Sequence, residues 1–281
     1  MPHEREHRTR QAQLPGTVAI PHRRAKRIVK ISVVTVCLNA VHTIGHTLAS
    51  VAGQTFRDVE HLVIDGGSTD GTVAVVEKLR SGVAHFVSEP DRGLYEAMNK
   101  GIAAATGDYV GFLNSDDIYE DHRVLERVSE SLESGAWDSA HGDLVYVSQS
   151  DPEKVLRYWK SKPYVPGMFE AGWHPAHPTL FVRRELLREI GGFNTGYRFH
   201  ADFDLMVRLF VARRISSVYL PEVLVRMRTG GQSNRSIRNI YRGNLESYSI
   251  ARQFGVARSF LWIPRKLAFR VAQFFKRPPG D

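Results

Sequence analysis

Four apolar runs at close spacing, each followed by a turn or a stretch with helical periodicity, leave this chain few ways to fold. The first, Ile31 to Leu38 (ISVVTVCL), is almost continuously apolar, as strands buried on both faces of a parallel sheet are. After Asn39, the stretch from His42 to Gln54 puts Ile44, Leu48 and Val51 on one helical face. His61 to Asp65 reads as the second strand, Gly66 to Gly71 as a tight turn, and Thr72 to Leu79 as a helix. A short strand at His85 to Ser88, the turn Glu89-Pro90-Asp91-Arg92-Gly93 and a helix from Leu94 to Ala105 lead to a fourth strand, Tyr109 to Leu113. This alternation is the signature of an α/β protein with a parallel sheet and right-handed crossovers. The turn after the second strand has neither G-x-G-x-x-G nor a following Lys-Ser/Thr, so it is not a dinucleotide or phosphate loop.

Beyond the fourth strand the rhythm loosens. A helix over Arg123 to Leu132, a strand at Asp143 to Val147, an irregular Trp-, Pro- and Gly-rich stretch to Pro178, a strand at Thr179 to Val182 and a helix from Arg184 to Ile190 predict a mixed-sheet region that shapes a substrate site within the same domain. Charge divides the 281 residues into three. Residues 1–30 carry eight Lys or Arg against two Glu and read as a flexible basic arm. Residues 235–281 carry ten against two, whereas residues 31–234 are net negative by six. A nucleic-acid enzyme is expected to carry a basic working face on its body; here the basic appendages point instead to an anionic surface such as a membrane. No apolar run of 18 or more residues offers a transmembrane helix. Cys37 is the only cysteine and sits in the first strand, which excludes a disulfide framework and a Cys-based zinc site and fits the cytoplasm.

Chemistry concentrates where the fourth strand ends, at Asn114-Ser115-Asp116-Asp117. Open α/β sheets bind ligands at the carboxyl ends of their strands, and neighbouring carboxylates repel unless a cation or proton lies between them. All nearby donors are oxygens, which suits Mg²⁺ or Mn²⁺ rather than Zn²⁺. The competing reading is that Asp116 or Asp117 caps a helix. His174, His177 and His200 do not make a zinc set, because Pro175 and Pro178 break any helix that would align them.

The ordered segments VVTVCLNA, VIDGGSTDGT, SEPDRGLYEAMNKGIAAATGDYVGFLNSDD, GGFN and ADFDLMVRL resemble glycosyltransferase family 2, and most of all its bacterial exopolysaccharide subgroup of the colanic-acid type. The resemblance spans about residues 31 to 233, and a long ordered block is far more specific than one motif. It implies a GT-A fold, with a Rossmann-like half that holds a nucleotide sugar joined to an acceptor-binding half, and an inverting transfer with a divalent metal on the diphosphate. It further implies that Asp65 and Asp91 contact the nucleotide base, that Lys100 lies near the nucleotide, and that Asp116 and Asp117 meet the ribose and the metal. Asn114 replaces the first acid of the family's D-x-D-D pattern. The family's catalytic Glu-Asp pair is matched by Ala201 and Asp202, which leaves Asp202 as the candidate base and Asp204 as a structural acid. His177 lies in a segment that in the resembled subgroup lines the acceptor side, and Gly230 to Ser233 resemble a loop closing near the diphosphate, where Arg226 or Arg228 would add charge.

From Pro264 onward, Leu267, Val271, Phe274 and Phe275 fall on one helical arc and Lys266, Arg270, Gln273 and Arg277 on the opposite one. That is the pattern of an interfacial helix on an anionic membrane; the competing reading is a helix docked on the protein's own core. Together these features predict a cytoplasmic enzyme, peripheral on the inner face of the cell membrane, that passes a sugar from a nucleoside diphosphate to a hydroxyl of a lipid-linked glycan. Two rivals are a sugar-1-phosphate nucleotidyltransferase, whose Gly-rich basic loop is missing after Leu38, and a non-catalytic nucleotide-sugar-binding module.

Overall fold

The computed structural model describes residues 29–230, 237–257, 259 and 261–274. Residues 1–28 of the basic arm, Gly231 to Ser233, Arg258, Phe260 and Phe275 to Arg277 lie outside the described residues. Among the described residues nine strands form one sheet: β1 (Ile31–Cys37), β2 (Val59–Asp65), β3 (His85–Ser88), β4 (Tyr109–Phe112), β5 (Ile118–Tyr119), β6 (Ser139–Val147), β7 (Val155–Trp159), β8 (Phe181–Arg183) and β9 (Ser217–Arg228). The order is β3-β2-β1-β4-β8-β6-β9-β5, with β7 paired to β6. β3, β2, β1 and β4 are mutually parallel, which is the Rossmann-like half; β8 joins β4 antiparallel and opens the mixed half.

The helices are α1 (Ile44–Ala52), α2 (Thr72–Lys78), α3 (Leu94–Ala104), α4 (Val124–Glu133), α5 (Arg184–Glu189), α6 (Ala201–Met206), α7 (Ile237–Gln253) and α8 (Trp262–Ala272). β1 is buried along its whole length because both faces are covered. Val34 and Val36 join a core with Met98 of α3, Phe203 of α6 and Trp262 of α8. Ile31 and Val33 join another with Leu125 and Val128 of α4. α3 lies so close to β1 that a Cβ on Gly101 would fall 2.3 Å from a Val34 methyl. The C-terminal segment is therefore no separate appendage: Ile250 and Ala251 of α7 and Trp262 of α8 are part of the main core.

Candidate active site

The carboxyl ends of β1, β2, β3 and β4 converge, and the predicted acids collect there. Asp65 ends β2 and is fully buried. Its Oδ2 accepts the amides of Gly67 (3.1 Å) and Ser68 (2.8 Å) and the Ser88 hydroxyl (2.7 Å). Its Oδ1 accepts the Ser68 hydroxyl and the Cys37 thiol. Burial pushes its pKa up, but the hydrogen bonds from Ser68, Ser88 and Cys37 outweigh that and hold the carboxyl below its ordinary range. Asp65 thereby pins the turn from Gly66 to Ser68.

Asp91 lies over that turn. A Cβ on Gly66 would come 2.6 Å from Asp91 Oδ2, so glycine is what admits the carboxylate there. Its Oδ1 accepts the Gly93 amide at 2.8 Å. Lys100 of α3 pairs with Glu89 at 2.7 Å, and that hydrogen bond, helped by Glu96 and Asp91, raises its pKa.

Asn114 to Asp117 form the turn between β4 and β5, closed by the Asp117 amide donating to the Asn114 carbonyl at 3.1 Å. Arg228, at the end of β9, clamps it from the other half: its guanidinium donates to the Asp116 carbonyl at 2.6 Å and its amide to Asp117 Oδ1 at 3.3 Å. Asp117 Oδ2 accepts the Asn114 side-chain amide at 2.9 Å, and Thr47 donates to the Asp117 carbonyl at 2.8 Å. Asp117 is completely buried, whereas Asp116 keeps partial solvent access. Burial, then the charge of Asp116, pushes the Asp117 carboxyl well above its usual range, and burial raises Asp116 as well. Asp117 thus supports the turn from beneath, and Asp116 is the more accessible of the two carboxylates. This donor chemistry fits Mg²⁺ or Mn²⁺, which takes one or two carboxylates and completes its shell with substrate phosphates. Among the described residues no three His, Cys, Asp or Glu side chains gather into a protein-only metal cage.

Next to this turn opens a cavity of about 750 Å³ whose lining includes Asn114, Tyr95, His174, His177, His200 and Asp202. α6 carries the two candidate bases and separates them. Its entry is fixed from α7, where the Glu246 carboxylate accepts the amides of Arg198, Phe199 and His200, each at 2.8 Å. Asp202 then lines the cavity, with Oδ1 accepting the Phe203 amide (2.8 Å) and lying 3.5 Å from the Tyr95 hydroxyl. Asp204 points into the core, 2% exposed, and meets Arg208 at 2.7 Å; Arg208 also donates to the carbonyls of Ile190 (2.8 Å) and Gly192 (2.7 Å).

His177 stacks on Phe112, ring centroids 5.3 Å apart, and its Nε2 is buried with no hydrogen-bond partner among the described residues. Burial lowers its pKa against the pull of Asp202, so the ring is neutral. Sequence reasoning missed Tyr95 and the basic-aromatic rim of Trp159, Lys160 and Lys162. The run Arg157 to Lys162 (RYWKSK) is the signal that could have found the latter. Of the two expected arginines, Arg228 reaches the acidic turn, while Arg226 pairs with Glu120 at 2.8 Å and Glu153 at 3.4 Å.

A curled mixed sheet with a parallel Rossmann-like half and an acid-bearing turn after β4 is the GT-A glycosyltransferase fold. Two solved structures superpose on it, both at 18% identity. They are TarS 1–349 of S. aureus in complex with UDP-GlcNAc (TM-score 0.62, covering 86% of this chain and 73% of that one) and the mannosyltransferase PcManGT of Pyrobaculum calidifontis in complex with GDP-Man and Mn²⁺ (TM-score 0.63, 88% and 75%). Residues 32–201 match the Glycosyl transferase family 2 model. An uncharacterized glycosyltransferase of Mycobacterium tuberculosis is 33% identical over 187 residues, 63% of this chain and 68% of its own. A PGL/p-HBAD biosynthesis glycosyltransferase of Mycobacterium bovis is 30% identical over 208 residues, 72% and 78% respectively. The chain belongs to glycosyltransferase family 2.

Proposed function

We propose that this protein is an inverting, metal-dependent glycosyltransferase that moves a sugar from a nucleoside diphosphate to a hydroxyl of a lipid-linked glycan in polysaccharide or glycolipid biosynthesis. The observation that carries this reading is that one cavity takes both Asn114, hydrogen-bonded to the acidic turn, and Asp202. The donor's base lies on the turn pinned by Asp65, under the carboxylate of Asp91, with Lys100 near the nucleotide. Asp116 would hold a Mg²⁺ or Mn²⁺, which when bound would offset the charge on the diphosphate leaving group. Asp202 accepts the proton of the acceptor hydroxyl as its oxygen bonds to the anomeric carbon from the face opposite the departing diphosphate; a positioned base is typically worth ~10² to 10⁴ in rate. His177, neutral and with an unpartnered Nε2, orients that hydroxyl.

The names of the relatives, a PGL/p-HBAD biosynthesis enzyme and, over 15% of its length, the O-antigen biosynthesis protein RfbC of Myxococcus xanthus, support the assembly of glycolipid or polysaccharide. No described helix is long and apolar enough to cross a membrane; the same reading has the protein work peripherally at the inner face of the cell membrane. The test is donor hydrolysis across UDP-, GDP- and dTDP-sugars with Mn²⁺. Release of one nucleoside diphosphate, abolished by EDTA, is the expected result; no turnover of any donor overturns the reading, and turnover that survives EDTA overturns its metal dependence.

A further inference from the structure

α8 is docked inside out. Its sequence places an apolar arc opposite a polar stripe, and a helix packed on its own protein buries the apolar arc. Here the reverse holds beyond the first turn. Trp262 anchors the start, 3% exposed, its indole N–H donating to the Phe169 carbonyl at 2.9 Å. From there the polar side faces inward: Lys266 donates to the Ser247 hydroxyl at 2.8 Å and lies over the rings of Phe203 (5.0 Å) and Trp262 (5.4 Å). Just past the helix, the Gln273 carbonyl accepts the Tyr158 amide at 3.2 Å. Lys266 and Gln273 line the cavity that holds Asp202. On the other side Leu261 and Val271 stand 62% and 57% exposed; Phe274, with the Arg157 guanidinium 5.4 Å over its ring, is 61% exposed, and Leu267, at 38%, also lines the cavity.

One exposed Leu needs no explanation, but three large apolar side chains more than half exposed at and beside one helix mark a surface that meets something. Charge identifies what. The segment 235–281 carries ten Lys or Arg against Glu246 and Asp281, on a body that is net negative. Arg265 of α8 and Arg238, Arg242 and Arg252 of α7 are exposed. An exposed apolar face on a strongly basic segment is complementary to an anionic lipid leaflet, and like-charged copies of the same segment repel each other.

We propose that the outer face of α8 seats the enzyme on an anionic bilayer while its inner face forms a wall of the transfer cavity, so that one helix brings the site to the plane of the lipid headgroups. The inference rests on the transferase reading only for the acceptor's arrival from the membrane; lipid binding itself is measured apart from catalysis. Leu261 and Val271 do not line the cavity and are the residues to change. Wild-type protein is expected to co-sediment with vesicles of phosphatidylcholine and phosphatidylglycerol, less with phosphatidylcholine alone, and less in high salt. Leu261→Glu with Val271→Glu should lower that partition roughly tenfold or more while nucleotide-sugar hydrolysis stays at the wild-type rate. The milder pair Leu261→Ser and Val271→Ser gives the same reading if the charged variant misfolds. Sedimentation of folded variants equal to wild type overturns the proposal, as does a wild-type protein that ignores anionic vesicles. A wild-type dimer by light scattering that the variants dissociate, without vesicle binding, assigns the face to a second copy instead. Absence of hydrolysis in wild type and variants alike speaks against the enzyme and leaves the vesicle result standing.

Discussion

Asp202 and Asp204 are two residues apart, of one chemical type, and differ only in where α6 points them. Asp202→Asn should keep donor affinity and lower kcat by ~10² or more, as loss of a transition-state proton acceptor does. Asp204→Asn should instead lower stability by about 3 kcal/mol, because it leaves the Arg208 guanidinium in the core without its counter-charge. Kinetics and urea unfolding of the two variants separate these effects, and a kinetic defect in Asp204→Asn with a silent Asp202→Asn would reverse the assignment. The acidic turn makes a similar contrast. Asp116→Asn should abolish the Mn²⁺ dependence of donor binding, measured by calorimetry. Asp117→Asn should retain weak Mn²⁺-dependent binding, since the buried side chain can still accept the Arg228 amide. Equal loss in both would mean that the two carboxylates act together.

Elements set these positions, and Glu246 shows how far away the setting is done. Three backbone amides ahead of α6 end on one carboxylate of α7. Glu246→Ala should drop kcat on the order of 10², the usual effect of misplacing a reacting group by about an ångström, with donor KM little changed. Glu246→Gln, which keeps one acceptor oxygen, should recover part of that rate; a loss of folding in both variants would mean that the clamp serves stability alone. The parallel half was legible from sequence because β1 to β4 are short apolar runs closed by Gly and Asp turns, and β3 falls on the predicted residues. β9 was not, because Pro221 and Glu222 interrupt its pattern. The register with β6 slips there, from Tyr219 opposite His141 to Val223 opposite Asp143, and the extra residues take the proline out of the ladder. Periodicity revealed the two faces of α8 but not which one the body would take. Likewise the acids of the site were legible as residue types, while the hydrogen bonding of Asp65 and the burial of Asp117 depend on partners far away in sequence.

For the whole molecule, acid is the informative stress. His61 and His141 are buried and neutral, each with a pKa lowered by burial to about 4. Between an unfolded value of about 6.5 and that folded value the unfolded chain binds protons that the native one refuses. Stability from these groups is complete above about pH 6.5 and is lost as pH falls towards 4, by ~3 kcal/mol each at the end. Glu60 acts later: burial opposes its charge, yet hydrogen bonds from Ser32, Thr106 and Lys30 hold it near about 2, so its contribution begins to fade only below about pH 4.5. Unfolding midpoints in urea should therefore decline from pH 7 to 5, and a flat profile would contradict the buried neutral histidines. The order in which the walls of the cavity are synthesised carries a last consequence. The carboxyl ends of β1 to β4, with Asp65, Asp91, Asp116 and Asp117, are encoded by residue 117, but the cavity is also lined by Asp202, Asn244, Lys266 and Gln273. On the ribosome the carboxyl ends of β1 to β4 can therefore take shape before the opposite wall of the cavity exists, and the cavity is complete only once translation has passed residue 273.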